Sequence, residues 1–223
     1  GEHGAKALRM IILPNGNIVY YGGKKGDMYK LRTYHPSKRT NGHNVLVHYD
    51  WPEDGRRSGR RVMVRQELSD GRVRTMAGPP GAEYIVKTTF PDGTVQEFEG
   101  SRGKERLVRQ RGRNGDLQHF CGERGEHRLY RSDKANGDIW LYVGPKGLER
   151  VNAKIILRTP CEGDAHFITY TGTRDDERKV RMLSTDTGIV EVFTGEEPQD
   201  GRTGRCKRKL LANGKIATRS GSG

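Results

Sequence analysis

Between Ser69 and Lys134 the chain writes one 22-residue line three times: SDGRVRTMAGPPGAEYIVKTTF, PDGTVQEFEGSRGKERLVRQRG and RNGDLQHFCGERGEHRLYRSDK align without a gap. Self-similarity at a fixed period marks a repeat architecture, in which each unit is one supersecondary element that finds its packing partners in its neighbours. The template is a turn ending in Gly, an apolar residue two places on, an aromatic or Met five places on, a Gly-x-x-Gly turn, and a strand ending in a cation. Gly71, Gly93 and Gly115 end the first turns, and Gly78 to Gly81, Gly100 to Gly103 and Gly122 to Gly125 make the second.

Runs of about 7 residues between turn signals, rich in Val, Ile, Leu, Phe and Tyr, are too short for ordinary helices and read as strands. Asp-Gly and Asn-Gly are expected to supply the positive φ angles of tight hairpin turns, with Gly pairs doing so in slightly longer connections. Each repeat is therefore two antiparallel strands, and the chain an all-β meander.

The template extends in both directions. GEHGAKALRMIILPNG at the start lines up with GERGEHRLYRSDKANG, so the chain begins in mid-repeat. Opening glycines at 16, 42, 71, 93, 115, 137, 163 and 188 give eight full repeats with half a repeat at each end, which predicts 18 strands. The second repeat enlarges its second turn to Trp51–Gly59. The spacing from Gly137 to Gly163 is 26 residues, Gly172-Thr173-Arg174-Asp175 replaces Gly-x-x-Gly, and the last turn is stretched over Gly195–Gly204. No linker or composition shift interrupts the series. The expectation is one continuous array over residues 1–220, of 22- to 26-residue repeats in a long twisted sheet, open or curled, with 221–223 as a flexible tail. An open slab of this kind would be elongated.

Strands such as Glu105-Arg106-Leu107-Val108-Arg109 do not alternate cleanly. Adjacent Leu107 and Val108 are expected on opposite faces, each flanked by charge, as in a single-layer sheet stabilised by cross-strand pairs. A curled or closed sheet burying Leu107, Leu129, Ile85 and their equivalents is the alternative geometry.

The turn-strand-turn units with their regular glycines resemble the MORN repeat class, and FPDGTVQEFEG and LPNGNIVYYGG are similar to the strand-turn units of the centriolar T-complex-10 C-terminal domain. Both families form elongated β-meanders that serve mainly as protein-binding or membrane-associated scaffolds. The resemblance implies a binding role.

Composition narrows the function classes. Apolar residues are 32% of the chain with 31 Gly, so large apolar side chains are scarce. The 41 Lys and Arg exceed the 28 Asp and Glu, for a net charge of +13, which suits an acidic protein or another polyanion. Three cysteines far apart, Cys121, Cys161 and Cys206, and seven scattered histidines offer neither a disulfide framework nor metal-ligand spacing. No phosphate-cradling loop and no nucleophile–base constellation occurs, so catalytic residues, metal and cofactor are expected to be none, and the chain is not expected to be an enzyme. No apolar run reaches the length of a membrane span, and an intracellular setting, cytoplasmic or nuclear, is expected.

One polar feature recurs by position. Six places after the residue that closes the second turn stand Arg32, Arg65, Lys87, Arg109, Arg131 and Arg181, expected as a cationic row along one face, with Glu83, Glu105 and Glu177 four places earlier on the same face as partial counter-charges. The function expected from this reading is a scaffold that binds another protein through an extended basic face or edge. The alternative is a protein that binds nucleic acid or another polyanion through the row, with Trp140, Tyr142, Phe120 and Phe98 available to stack on bases. The two half repeats at the ends are expected to pair weakly between molecules, head to tail.

Overall fold

The computed structural model of the chain describes residues 9–24, 27–37, 42–51, 61–159, 164–185, 187–193, 206–211, 213 and 215–218. Among them lie 18 strands and no α-helix, as the repeat count requires. The chain falls into two compact units, 1–110 and 111–223. Parts of the turns expected at Gly23–Gly26, Trp51–Gly59 and Gly195–Gly204, the start of the chain and the tail lie outside the described residues.

In the first unit β1 (Arg9–Ile12), β2 (Ile18–Lys24), β3 (Asp27–His35), β4 (Val45–Asp50), β5 (Val62–Leu68), β6 (Val73–Ala77), β7 (Tyr84–Thr89), β8 (Val95–Glu99) and β9 (Arg106–Arg111) follow one another as an antiparallel meander. The second unit repeats the arrangement with β10 (Leu117–Cys121), β11 (Arg128–Asp133), β12 (Ile139–Val143), β13 (Arg150–Thr159), β14 (Asp164–Thr171), β15 (Arg178–Ser184), β16 (Val190–Phe193), β17 (Cys206–Leu210) and β18 (Ile216–Thr218). The 26-residue spacing is absorbed in the long β13–β14 hairpin.

The first turns are three-residue loops, with the backbone of Phe90 paired to Thr94 around Pro91-Asp92-Gly93, and Lys134 to Asp138 around Ala135-Asn136-Gly137. Gly93 and Gly137 have φ of 88° and 92°, whereas none of the described Asp or Asn residues before such a glycine has positive φ. The expectation that the Asx residue shares the left-handed conformation is thus corrected. Its side chain instead accepts from the N–H two residues on, as Asp92 does from Thr94 at 2.8 Å and Asn136 from Asp138 at 3.1 Å. Such a turn followed by a left-handed glycine suits the twist of a hairpin.

Seven hairpin ladders that carry a second turn each contain a register shift at one place. The second strand holds one extra residue there: Leu31, Val64, Val86, Tyr130, Asn152, Val180 and Lys207 each lie between two residues paired to neighbours on the first strand. These are β-bulges, which bend the strand and reset which residues share a face. Strict alternation therefore fails in the sequence at the bulge, where the phase of the two faces is reset.

Two faces follow from the register, because directly opposed residues in an antiparallel ladder point the same way. One face carries Val19, Thr33 and Val47 in a single row, all buried, and in the next row Val45 opposite buried Leu68. The aromatic or Met of the template joins them, paired with the residue before the bulge: Met76 with Ile85, Phe120 with Leu129, Tyr142 with Val151. Leu107 is buried, while Ile85 and Leu129 are half-buried. This enclosed face is the core, and the recurring cations Arg32, Arg65, Lys87, Arg131 and Arg181 occupy the other.

Candidate functional site

In the first unit Tyr20, Arg32, His48, Arg65, Thr75, Lys87 and Glu97 are successive register partners from β2 to β8. They form one rung-to-rung row on the face opposite the core. Arg32, Arg65 and Lys87 are exposed and come from alternate strands, about 9–10 Å apart by two strand spacings. Arg109 is exposed as well, and its Nε sits 2.9 Å from a Glu97 carboxylate oxygen. The bulge explains the common position of Arg32, Arg65 and Lys87, since each is the first residue after the extra one. In the second unit the corresponding row runs His119, Arg131, Leu141, Ala153, Thr169, Arg181, Val192 and Arg208. Ala153 leaves a gap where the template has a cation. Arg208 was hidden from sequence reasoning by the stretched turn before it.

The counter-charges are not the expected ones. An odd extra residue separates each row cation from the acid four places before it, so Glu83 and Glu177 fall on the opposite side from Lys87 and Arg181. Glu83 accepts from the backbone N–H groups of Met63 at 3.3 Å and Gly81 at 3.0 Å, and Glu177 from that of Val151 at 3.0 Å. Glu149 holds the Leu129 N–H in the same way at 3.2 Å. Burial alone would raise the Glu83 carboxyl, but these backbone donors and nearby Arg102 bring it below the usual carboxylate range. Each acid ties its own repeat to the second strand of the repeat before. In the reverse direction Arg102, Lys146 and Arg174, one place before the residue that closes each second turn, donate to the carbonyls of Gly81, Gly125 and Gly147 in the preceding turn.

The actual partners of the row are Glu67, 3.0 Å from Arg65; Glu97, beside Arg109; and Asp133, 2.6 Å from Arg131. Burial would raise the Asp133 carboxyl, yet hydrogen bonds from Arg131 and His119 hold it low; that same carboxylate raises Arg131. The face therefore presents cations and carboxylates together, several of them half or more exposed.

The aromatics proposed for base stacking lie mainly on the enclosed face, and the rings of Trp140 and Phe120 are engaged within the chain. Trp140 has the Lys154 ammonium 3.8 Å and the Lys134 ammonium 4.8 Å from its centroid, and Phe120 meets His127 edge-on at 5.8 Å. Lys154 also lies 5.1 Å from Tyr170, and Lys179, the register partner of Tyr170, sits 4.1 Å from Phe193. A cation–aromatic ladder thus crosses β12 to β16. Burial lowers Lys154 and raises Tyr170. Lys30 stands 4.2 Å over Tyr49 on the same face of the first unit. Lys30 and Lys179 escaped sequence reasoning because their template position is apolar in the regular repeats, Ile85 and Leu129 among them, whereas Lys154 stands at a place that is polar elsewhere, as in Thr88 and Ser132.

Among the described residues no three His, Cys, Asp or Glu side chains are gathered in a way that could hold a metal ion, and no helix is long and apolar enough to cross a membrane. A cavity of about 510 Å³ lies on the first unit. No protein-family model and no curated protein matches the chain.

Proposed function

We propose that the chain is a non-enzymatic repeat scaffold that binds another protein through the arginine-bearing sheet face. The observation that supports this best is the mixture of charge on that face. Arg65, Arg109 and Arg131 each have a carboxylate within 3.0 Å, so a polyphosphate laid along the row of either unit would meet carboxylates among the cations, Glu67 and Glu97 in the first unit and Asp133 in the second. A protein surface, with both signs of charge and hydrogen-bonding groups, complements such a pattern, and charge complementarity gives register and partner choice. The tandem-hairpin architecture and the resemblance to MORN-type arrays support a scaffold at the level of fold class.

The test is capture of partners from native lysate on immobilised chain, with and without nuclease. The expected result is a protein set that survives nuclease and is lost when Arg65, Lys87, Arg109 and Arg131 are all replaced by Gln. Loss of that set on nuclease treatment would instead favour nucleic acid. In that case affinity for single-stranded RNA or DNA would fall with salt at a log–log slope of about −0.7 per phosphate contact, flattened in the quadruple variant.

A further inference from the structure

The cavity on the first unit is built by register. His35, Val45 and Leu68 are successive partners across β3, β4 and β5, and Val47, Gln66 and Arg74 are successive partners across β4, β5 and β6 in a neighbouring row. Both rows belong to the enclosed face, opposite the arginine row. Their small apolar members form the floor: Val47 and Leu68 are only 4% and 8% exposed. Long polar side chains form the walls, with Arg72 and His43 added from the turns. A volume of about 510 Å³ is that of a site for a small organic molecule or a single side chain, within the roughly 300–1,000 Å³ common to ligand pockets.

The electrostatics of the walls are one-sided. Asp70 is bound 2.6 Å from Arg72 and stands 3.8 Å from His43, and the Arg72 backbone N–H, ahead of its side chain, holds that carboxyl below its ordinary range. Asp70 is thereby committed to its own turn. Arg74 makes no hydrogen bond or ion pair among the described residues; burial and then the positive charge of Arg72 weigh against its charged form, and the more distant Asp70 carboxylate offsets them only in part. An arginine remains protonated under such pressure and keeps a planar fork of five donors. Burial and Lys30 likewise keep His35 on the neutral side. The cavity therefore holds an unmatched guanidinium above an apolar floor, and an anion is the group that would match it.

The feature is local to this hairpin. At the place of Arg74, three residues after the opening glycine, the other regular repeats carry Gln96, Gln118 and Trp140, so the arginine is no requirement of the template.

We propose that this cavity is a binding site for a small carboxylate- or phosphate-bearing ligand, whose oxygens engage the Arg74 guanidinium and whose body rests on Val47 and Leu68. The test is a titration of the full chain, followed by the imidazole carbon-bound proton signals of His35 and His43 in NMR. The probes are inorganic phosphate, benzoate and the uncharged analogue benzamide. Saturable shifts at both histidines are expected with phosphate, with benzoate or with both, and none with benzamide; which anion binds more tightly distinguishes the two sources. Arg74→Gln should weaken binding at least about tenfold, and Arg74→Lys, which keeps the charge but loses the fork, by less. Arg113→Gln, in an exposed turn of the second unit, should leave binding unchanged. The amide spectrum checks that each variant is folded. If Arg74→Gln does not fold, the Arg74→Lys titration and the benzoate–benzamide contrast decide the matter. Non-saturating shifts, equal response to benzamide, or undiminished affinity in the folded Arg74 variants would overturn the proposal.

Discussion

The two turn margins of this meander use glycine for different reasons. At the Gly-x-x-Gly margin the first glycine is locked twice. Gly122 has φ of 108°, and a methyl added there would stand 2.6 Å from the Glu126 carbonyl oxygen; at Gly144 the same atom would stand 2.7 Å from that of Leu148. The second glycine of the same turn has φ of 80° at Gly125 and 77° at Gly147, yet faces open space. At the Asx-Gly margin the glycine also has positive φ, but the preceding Asx side chain supplies part of the turn. One residue type thus serves one site by sterics and two by dihedral preference. The chain itself contains the contrast: Gly172 keeps the locked place, while Asp175, with φ of 65°, takes the open one.

Substitutions can break or sharpen this contrast. The largest effect is expected for Gly122→Ala, where left-handed strain and a collision with backbone combine to cost roughly 3 kcal/mol or more, against about 1 kcal/mol for Gly125→Ala. Urea unfolding of the two variants measures the gap, and equal losses would abolish the distinction between the two glycines. At the other margin Asn136→Ala removes a single side-chain bond to the Asp138 N–H and is expected to cost about 0.5–1 kcal/mol by the same measurement. A loss as large as that of Gly122→Ala would mean that the Asx side chain, rather than the glycine, controls this turn.

The smallest effect is electrostatic and belongs to the Gly-x-x-Gly margin alone. The Glu83 carboxyl is lower in the folded chain than the ordinary glutamate value of about 4.3. Its contribution is therefore fully present above that ordinary value and lost as pH falls through the lower folded one. Glu83→Gln should lose less stability than the parent between pH 5 and about pH 3. Parallel pH profiles for the two would show that the bonds to Met63 and Gly81 carry no linkage.

Much of this architecture is legible in the sequence. The turn glycines fixed the repeat phase, the hairpin count and the strand count, because left-handed φ leaves few residues to choose from. Even Asp175 could be assigned to a glycine place by alignment. The bulge was not legible, since its extra residue is Leu31 in one repeat, Asn152 in another and Tyr130 in a third, with no shared chemistry. Missing it put Glu83 and Lys87 on one face when they belong to two. The positions of the row cations were legible from their recurrence, whereas their carboxylate partners depended on cross-strand register. The repeat-to-repeat ties had a signal that went unread: Glu83, Glu105, Glu149 and Glu177 recur two places after the second turn, and Arg102, Lys146 and Arg174 one place before its last residue. The Arg74 cavity needed the faces to be assigned first.

The bulge also bears on how such a chain can lengthen. Because the extra residue sits inside the second strand of its own hairpin, every hairpin sets the orientation of its side chains locally, without reference to those upstream. A copied hairpin arrives with that setting built in. Whole hairpins can be gained or lost in a lineage while the arginine-bearing and enclosed sides of all the others stay as they were, and each copy is then free to change a single position such as that of Arg74.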